Sequence, residues 1–258
     1  MIIFVYWLFE MVFKMTPELA EICGIHAGDV YLRKRGGKME LEIGGSLEER
    51  DYYDGYVVPF LNNLFDINIK AKRFSKGTYG LITFNKEVAL RLFDLGFPFG
   101  KKSQSVEIPK KILQSKNKLF YASFLRGLFD TDGHLGFRKC YGKYNEFKVR
   151  RHHYPTIQIV TISEKLTQGI GLMLAHLGIK YFVYGYKPKK PNEKYTYRVI
   201  INGNKRLEGW MDLIGSKNSV KFSRYLVWKK FGFCPTNLTL EQRESILTGK
   251  MDIYSIGL

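Results

Sequence analysis

Cysteine is scarce in this 258-residue chain: Cys23, Cys140 and Cys234 are all there are. Odd in number, far apart and in no CxxC spacing, they indicate neither a disulfide framework nor a zinc site, and they suit a reducing cytosol. The five histidines form no HxxxH or Cys/His cluster either. Long apolar runs are missing too. The one candidate, Met1 to Phe13, is interrupted by Glu10, has no basic residues before it and falls short of the roughly 20 residues a bilayer span needs. Residues 1–14 therefore read as an N-terminal apolar extension packing on the surface, or as sequence upstream of a start at Met15, and not as a signal peptide or membrane anchor. Acidic residues are the third shortage: 24 Asp+Glu against 41 Lys+Arg leave a net charge of +17. Such a surplus repels itself in a compact state unless a polyanion is at hand, so a nucleic-acid partner is implied, and a structural RNA binder fits the charge as well as a DNA protein does. At 45% hydrophobic and 15% aromatic, the chain can bury a proper core, which excludes disorder and leaves room for one large domain or two ordinary ones.

What is present is a repeat. Gly24-Ile-His-Ala-Gly-Asp29-Val-Tyr-Leu32 and Gly127-Leu-Phe-Asp-Thr-Asp132-Gly-His-Leu135 share the pattern G-[IL]-x-x-x-D-x-x-L. Leu61 and Leu64 recur as Leu174 and Leu177, and Asn85, Lys86, Gly96 and Lys102 recur as Asn204, Lys205, Gly215 and Lys221. The spacing widens along the chain, as expected of two copies of one domain whose second member has gained residues in two loops. Boundaries at 15–114 and 115–258 follow, the second including a short C-terminal amphipathic helix near Leu238 to Gly249.

Local signals give both copies the same order. Thr16-Pro17-Glu18 supplies a capping hydroxyl, a first-turn proline and an acid, so a helix runs to about Gly28. Strands near 30–35 and 38–43 join at Gly36-Gly37, a helix covers 47–65, strands near 67–74 and 79–84 follow, and 85–95 is helical. The second copy repeats this with helices at 117–131, 163–177 and 204–214 and strands near 133–139, 155–162, 179–187 and 194–202. The predicted fold is α+β: two pseudo-symmetric αββαββα halves, each with a four-stranded, mainly antiparallel sheet.

Cations concentrate on the hairpins. Arg33, Lys34, Arg35, Lys38, Lys70, Lys72, Arg73 and Lys76 lie on first-half strands and turns. The second-half insertions carry Arg138, Lys139, Lys143, Lys148, Arg150 and Arg151, and then Lys187, Lys189, Lys190 and Lys194, with Arg198 on the last strand. Interleaved tyrosines suit β-ribbons entering a duplex groove, although strand lysines also serve to protect open sheet edges. Glu48, Glu49, Asp51 and Asp54 cluster on a helix and mark it as the back.

Asp29 and Asp132 close the two repeated helices, where the helix dipole disfavours a carboxylate. The stripe Gly24, Gly28, Gly127 and Thr131 lets those helices approach backbone to backbone and sets the two acids side by side. Either acid alone reads equally well as an ordinary helix-end residue; their recurrence in register favours a shared site, in which a hard divalent cation relieves their repulsion and activates water for phosphodiester attack.

The segments Ile22 to Val30 and Leu125 to Gly133 resemble the two signature helices of LAGLIDADG homing endonucleases. Leu95-Gly-Phe-Pro-Phe-Gly-Lys-Lys-Ser103, Val106-Glu-Ile-Pro109 and Phe124 to Asp130 resemble the archaeal intron- or intein-associated branch. The resemblance spans about residues 15–230. It implies two halves packed through their signature helices in a monomeric endonuclease, cutting a long asymmetric double-stranded DNA site with Mg²⁺ or Mn²⁺, the sheets lying in the major groove. Asp29 and Asp132 take the metal-binding positions, Gly28 and Thr131 offer backbone carbonyls, and Lys102 and Lys221 take the position that steadies the water and the scissile phosphate, with Lys101 and Lys217 as nearby alternatives. A prokaryotic cytoplasmic location on the nucleoid goes with that role, and no membrane partner. The rival reading keeps the fold without cleavage, as a maturase for intron RNA or a DNA-binding regulator.

Two departures from the pattern matter. Asp130 has Ala27 as its counterpart and is expected to serve the helix end. Val30 stands where the family has glycine; a β-branched residue at positive φ is strained, so either the backbone differs there or the first centre is impaired and one strand is nicked preferentially. His26 is expected to pack near the helix interface, His134 to reach a phosphate, and His152 and His153, which flank the basic insertion, to face the groove or solvent.

Overall fold

A computed structural model describes residues 14–100, 103–140, 147, 150–187 and 194–256. The expected apolar extension therefore lies almost wholly outside the described residues, as do Lys101, Lys102, Lys143, Lys148, Lys189 and Lys190.

Helix α1 (Pro17–Ala27) starts where its cap predicts: the Thr16 hydroxyl accepts the Leu19 amide at 3.2 Å and Pro17 occupies the first turn. Strands β1 (Val30–Arg35) and β2 (Lys38–Ser46) follow, turning at Gly36 and Gly37, both at positive φ, as a tight two-residue hairpin requires. The chain is then helical from Leu47 to Phe65, opening on a capping box between Ser46 and Glu49, passing a π-turn at Tyr53–Val57 and ending in α2 (Val58–Phe65). Strands β3 (Lys72–Arg73) and β4 (Thr78–Thr83) and helix α3 (Lys86–Asp94) complete the first half. The sheet order is β1-β2-β4-β3, antiparallel throughout.

Helix α4 (Lys110–Ser115) leads into α5 (Lys118–Asp132), capped by Asn117. Strands β5 (Gly133–Lys139) and β6 (His152–Thr161), helix α6 (Glu164–His176), strands β7 (Phe182–Tyr186) and β8 (Thr196–Asn202) and helix α7 (Asn204–Leu213) repeat the first half, with order β5-β6-β8-β7. Helices α8 (Ser219–Phe231) and α9 (Leu240–Leu247) follow. The predicted α+β architecture of two αββαββα halves is the observed one. Three local expectations need correction. The strand expected over 67–74 is reduced to two residues, because the Asn62 side chain takes up both the N–H and the C=O of Ile69. Helices α4 and α8 had no counterpart in the periodicity.

Alternation sorts each sheet into a core face and an open face. Val30, Leu32, Leu41, Ile43 and Leu81 point to the helices in one half, and Leu135, Phe137, Ile157, Ile159, Val199 and Ile201 do so in the other. Helices α1 and α5 join the halves. A Cβ on Gly24 would overlap the Phe124 carbonyl oxygen and stand 2.9 Å from the Leu128 amide; one on Gly127 would overlap the Glu21 carbonyl oxygen and stand 2.8 Å from the Ile25 amide. The obstacles are backbone, which cannot rotate aside, so Gly24→Ala is expected to cost roughly 1–3 kcal/mol or more of stability, read by denaturant unfolding. The same junction holds a buried ion pair, Glu21 with Arg126, whose Nε meets Glu21 Oε1 at 3.1 Å while the Tyr56 hydroxyl donates to that oxygen at 2.6 Å.

Candidate active centre

The two signature helices end differently. Helix α5 continues through Asp132, and Gly133 leaves it in extended conformation (φ −76°, ψ 152°). A Cβ at Gly133 would stand 2.6 Å from the Phe129 carbonyl oxygen and 2.7 Å from its Cα, so glycine is needed there for close approach and not for positive φ. Helix α1 stops at Ala27, with Gly28 as its C-cap at ψ −108°. Asp29 therefore sits on a turn beyond the helix, a correction to its expected place at the helix tip. Val30 is not strained: among the described residues the non-glycine positions with positive φ are Asp66, Lys116 and Asn237, and Val30 begins β1 with its side chain in the core. The physical sense is plain. A β-branched residue cannot take the path of Gly133, and the chain departs earlier instead.

Even so, the two acids meet. Gly28 packs so closely on α5 that a Cβ there would lie 2.8 Å from Thr131 Cβ and 3.4 Å from the Asp132 carboxyl carbon. The carboxyl groups of Asp29 and Asp132 stand within hydrogen-bonding reach of each other. Burial first, then the charge and hydrogen bond of Asp132 and the charge of Glu49, push the Asp29 pKa up to about 7, against a smaller opposing pull from Lys221. Burial also pushes the Tyr53 hydroxyl well up, helped by Asp29, Glu49 and Asp132, so Tyr53 is a neutral donor beside three carboxylates.

Lys221, on the first turn of α8, is buried. Its Nζ donates to the carbonyl oxygens of Phe129, Asp130 and Thr131 at 2.7, 2.6 and 2.9 Å. Those carbonyls close the end of α5, where the Gly133 amide also donates to Phe129 O, and the three ammonium protons are all used on them. Burial lowers the Lys221 pKa while Glu49, Asp130, Asp29 and Asp132 resist that fall. Asp130, also buried, accepts the Ser216 hydroxyl at 2.5 Å and the Lys217 amide at 2.7 Å, which ties the 216–218 loop to α5; burial raises its pKa to about 6 against those hydrogen bonds. Its expected service at the helix end is what the geometry shows. Lys217 is exposed, its ammonium 5.7 Å from the Tyr56 ring centre.

Glu49, expected on the back, is instead close to the centre. Its Oε1 accepts the fully buried Asn218 side chain at 2.6 Å, while Asn218 also donates to the Asp130 carbonyl at 2.8 Å. Periodicity places Glu49 on a helix; only the capping box, which turns its carboxylate back towards Ser46 and β2, signals another direction. His26 packs as expected, buried and stacked on Phe97 with ring centres 3.9 Å apart.

Among the described residues no three His, Cys, Asp or Glu side chains form a metal cage. Two converging carboxylates are nonetheless a fitting protein share of the donor set that Mg²⁺ uses, because it keeps several waters and takes one or two carboxylates with the rest from substrate.

The cations divide by strand register. Arg33, Arg35, Lys38 and Lys72 share the open face of the first sheet, whereas Lys34 and Arg73, one residue out of phase, stand on the other face at its rim, a correction to their grouping with the rest. Lys70 and Lys76 are exposed on the loops beside β3. Arg33 is already paired with Glu42 at 2.6 Å. On the second sheet, Arg138 and Arg198 share the open face with Tyr154, Tyr184 and Tyr186, Arg198 stacking over Tyr186 at 5.1 Å. Lys139, Arg150 and Lys187 stand at the outer hairpin ends. His134 also lies on the open face, its pKa lowered by burial and by Arg224 and Lys221; His153 is buried beneath Phe147 and does not face outward, a correction.

Residues 119–215 match the family model of a LAGLIDADG-like domain. The second half of this chain is thus LAGLIDADG-like over that stretch. The chain also shares 26% identity over 212 residues with the replication factor C small subunit of Methanocaldococcus jannaschii, covering 82% of this chain and 10% of that protein. It shares 30% identity over 148 residues with a subunit of the A-type ATP synthase of Pyrococcus abyssi, covering 57% of this chain and 12% of that protein. It thus spans about a tenth of the length of the curated relatives it matches. In fold it is similar to mesophilic variants of the homing endonuclease I-DmoI (TM-score 0.51, 13% identity, 77% of this chain and 95% of that one). It is likewise similar to the meganuclease I-SmaMI bound to uncleaveable DNA (TM-score 0.50, 14% identity, 93% and 99%). No helix among the described residues is long and apolar enough to cross a membrane.

Proposed function

We propose that this chain is a monomeric, site-specific endonuclease of double-stranded DNA that works with Mg²⁺ or Mn²⁺ on the prokaryotic nucleoid. The observation that carries the reading is the Asp29–Asp132 pair, two carboxylates pressed together at the junction of two basic sheets. A divalent cation bound there would neutralise their repulsion and lower the pKa of a water that attacks phosphorus. Asp29, Asp132 and the carbonyls of Gly28 and Thr131 would hold it, although Thr131 O is now taken by Lys221. Lys102 would steady the water and the scissile phosphate. Lys221 would do so in the second half only after leaving its three carbonyls, and as found it acts on the centre by capping α5. Arg33, Arg35, Lys38, Lys72, Arg138 and Arg198 would meet the groove, and the tyrosines beside them add sequence-tolerant contact. The embedding supports a mobile-element origin in the archaeal intron- or intein-associated branch: a replication factor and an ATP synthase share no activity, so the stretch each has in common with this chain is separable from either.

Mg²⁺-dependent cleavage of a randomised duplex library tests the reading directly. Binding without cutting, in protein shown to be folded, would establish the rival binding-module function. The unlike helix ends further predict unlike strand rates, differing on the order of tenfold for a barrier difference of about 1.4 kcal/mol. Equal rates on the two strands of a supercoiled plasmid would remove that prediction. Val30→Gly is not a clean probe of it, because Val30 is a core side chain.

A further inference from the structure

The tail from Phe233 to Ile256 comes after the second αββαββα unit, and the reading above leaves it without a task. It is fastened to the outer end of the β5–β6 hairpin by the Cys234 amide, which donates to the His152 carbonyl at 3.0 Å, next to the point where Trp228 Nε1 of α8 donates to the His153 carbonyl at 2.9 Å. Between tail and hairpin lies a pocket lined by Lys139, Arg150, Arg151 and His152 on one side and by Phe233 and Thr236 on the other, with no Asp or Glu among the described residues of its lining. The Arg151 guanidinium lies over both the Phe233 ring (4.5 Å) and the Tyr254 ring (5.1 Å). Two aromatic faces fix the plane of a guanidinium but leave its N–H groups, which radiate in that plane, for an acceptor. A planar fork held this way matches a phosphate's paired oxygens. His152 spends Nδ1 on the Phe137 carbonyl at 2.9 Å, leaving Nε2 as its other polar atom. From Asp132 to this pocket the chain runs the length of β5, roughly 20 Å at about 3.3 Å per residue.

We propose that this pocket seats a backbone phosphate of duplex DNA roughly six base pairs outward from the cut on the second-half side, at about 3.4 Å per step. The proposal rests on the DNA reading of the preceding subsection. The tail then lengthens the footprint beyond the sheet and adds affinity without adding sequence choice, since a phosphate carries no base identity.

The test compares wild type with Arg151→Gln and Lys139→Gln, neither of which touches the cleavage centre, on a long cognate or generic duplex across a salt series. Expected is a salt slope shallower by about 1 in each variant and a loss of affinity on the order of tenfold, uniform across sequences. Lys139→Gln stands on the pocket rim and covers the case in which Arg151→Gln loosens the tail, which thermal melting will show. A duplex carrying single methylphosphonates near the sixth phosphate should weaken wild type and leave the variants unmoved. If wild type binds duplex but neither slope nor methylphosphonate response differs, the pocket assignment is overturned while the DNA reading stands. If inorganic phosphate raises the melting temperature of wild type alone while the methylphosphonate duplex binds normally, the pocket takes free phosphate and the backbone assignment is wrong. If wild type binds no duplex, the DNA reading fails and this proposal with it.

Discussion

Asp29→Asn and Asp132→Asn are each expected to abolish cleavage and, in the metal-free protein, Asp29→Asn is expected to raise stability. Removing a ligand should cost more than the roughly 10–100-fold that changes in a metal site's outer shell cost. The stability gain follows from the same crowding. Asp29 has its pKa raised from 3.8 to about 7, so the folded chain holds a proton that the unfolded chain has already released. The folded state is therefore most favoured below about pH 4, loses ground as pH rises towards 7, and carries the full penalty above it. The shift from 3.8 to about 7 corresponds to an effect on the order of 4 kcal/mol. Asparagine cannot ionise, so in chelator the variant should match wild type near pH 4 and melt higher at pH 8. Added Mg²⁺ should narrow that gap by stabilising wild type alone. A wild-type stability that stays level between pH 4 and 7 in chelator would show that the two acids are not in each other's field.

The second large effect concerns Lys221. Were it only a catalytic lysine, Lys221→Met would fold normally and lose rate. The structure instead spends its ammonium on three carbonyls at the end of α5 and buries it in the field of Glu49, Asp130, Asp29 and Asp132. Methionine fills similar space but strips the Thr131 carbonyl of its ammonium donor and leaves the carboxylates unopposed. The expected loss is roughly 3–5 kcal/mol, read in denaturant at neutral pH. The loss should shrink in acid, where the neighbouring carboxylates are neutral. A Met variant as stable as its parent would return Lys221 to a purely catalytic part.

The order of elements was legible because the physics behind it is local. Thr16 and Asn117 cap helices, Gly36-Gly37 turns a hairpin, and a period of two marks β1, β2, β5 and β8. The aspartate pair was legible for another reason: a costly residue at a helix end, repeated in register, asks for an explanation. What stayed hidden depends on contacts far apart in the chain. Glu49 is tied to Asn218, and Asp130 to Ser216, and no periodicity reports such pairs. Lys221 stands out through its repeat with Lys102, which says nothing of whether its charge faces a substrate or a helix end. Helix α8 escaped because its buried side chains mix Lys221 and Ser223 with Val220, Tyr225, Val227 and Trp228, so the sequence shows no clean apolar stripe.

Helix α9 closes on the first half through Glu48, whose Oε1 accepts from the Leu240 amide and from the buried Arg243 at 3.3 Å, while Arg243 Nε donates to Ser223 at 2.8 Å. Arg243 leaves the ribosome 195 residues after Glu48. During synthesis this contact must therefore wait until the residues between its partners have been made, and contacts this distant in sequence form late and slowly. Any break in the chain between Glu48 and Thr239 puts Arg243 and its partner on different pieces, so this contact registers whether the stretch between them is intact.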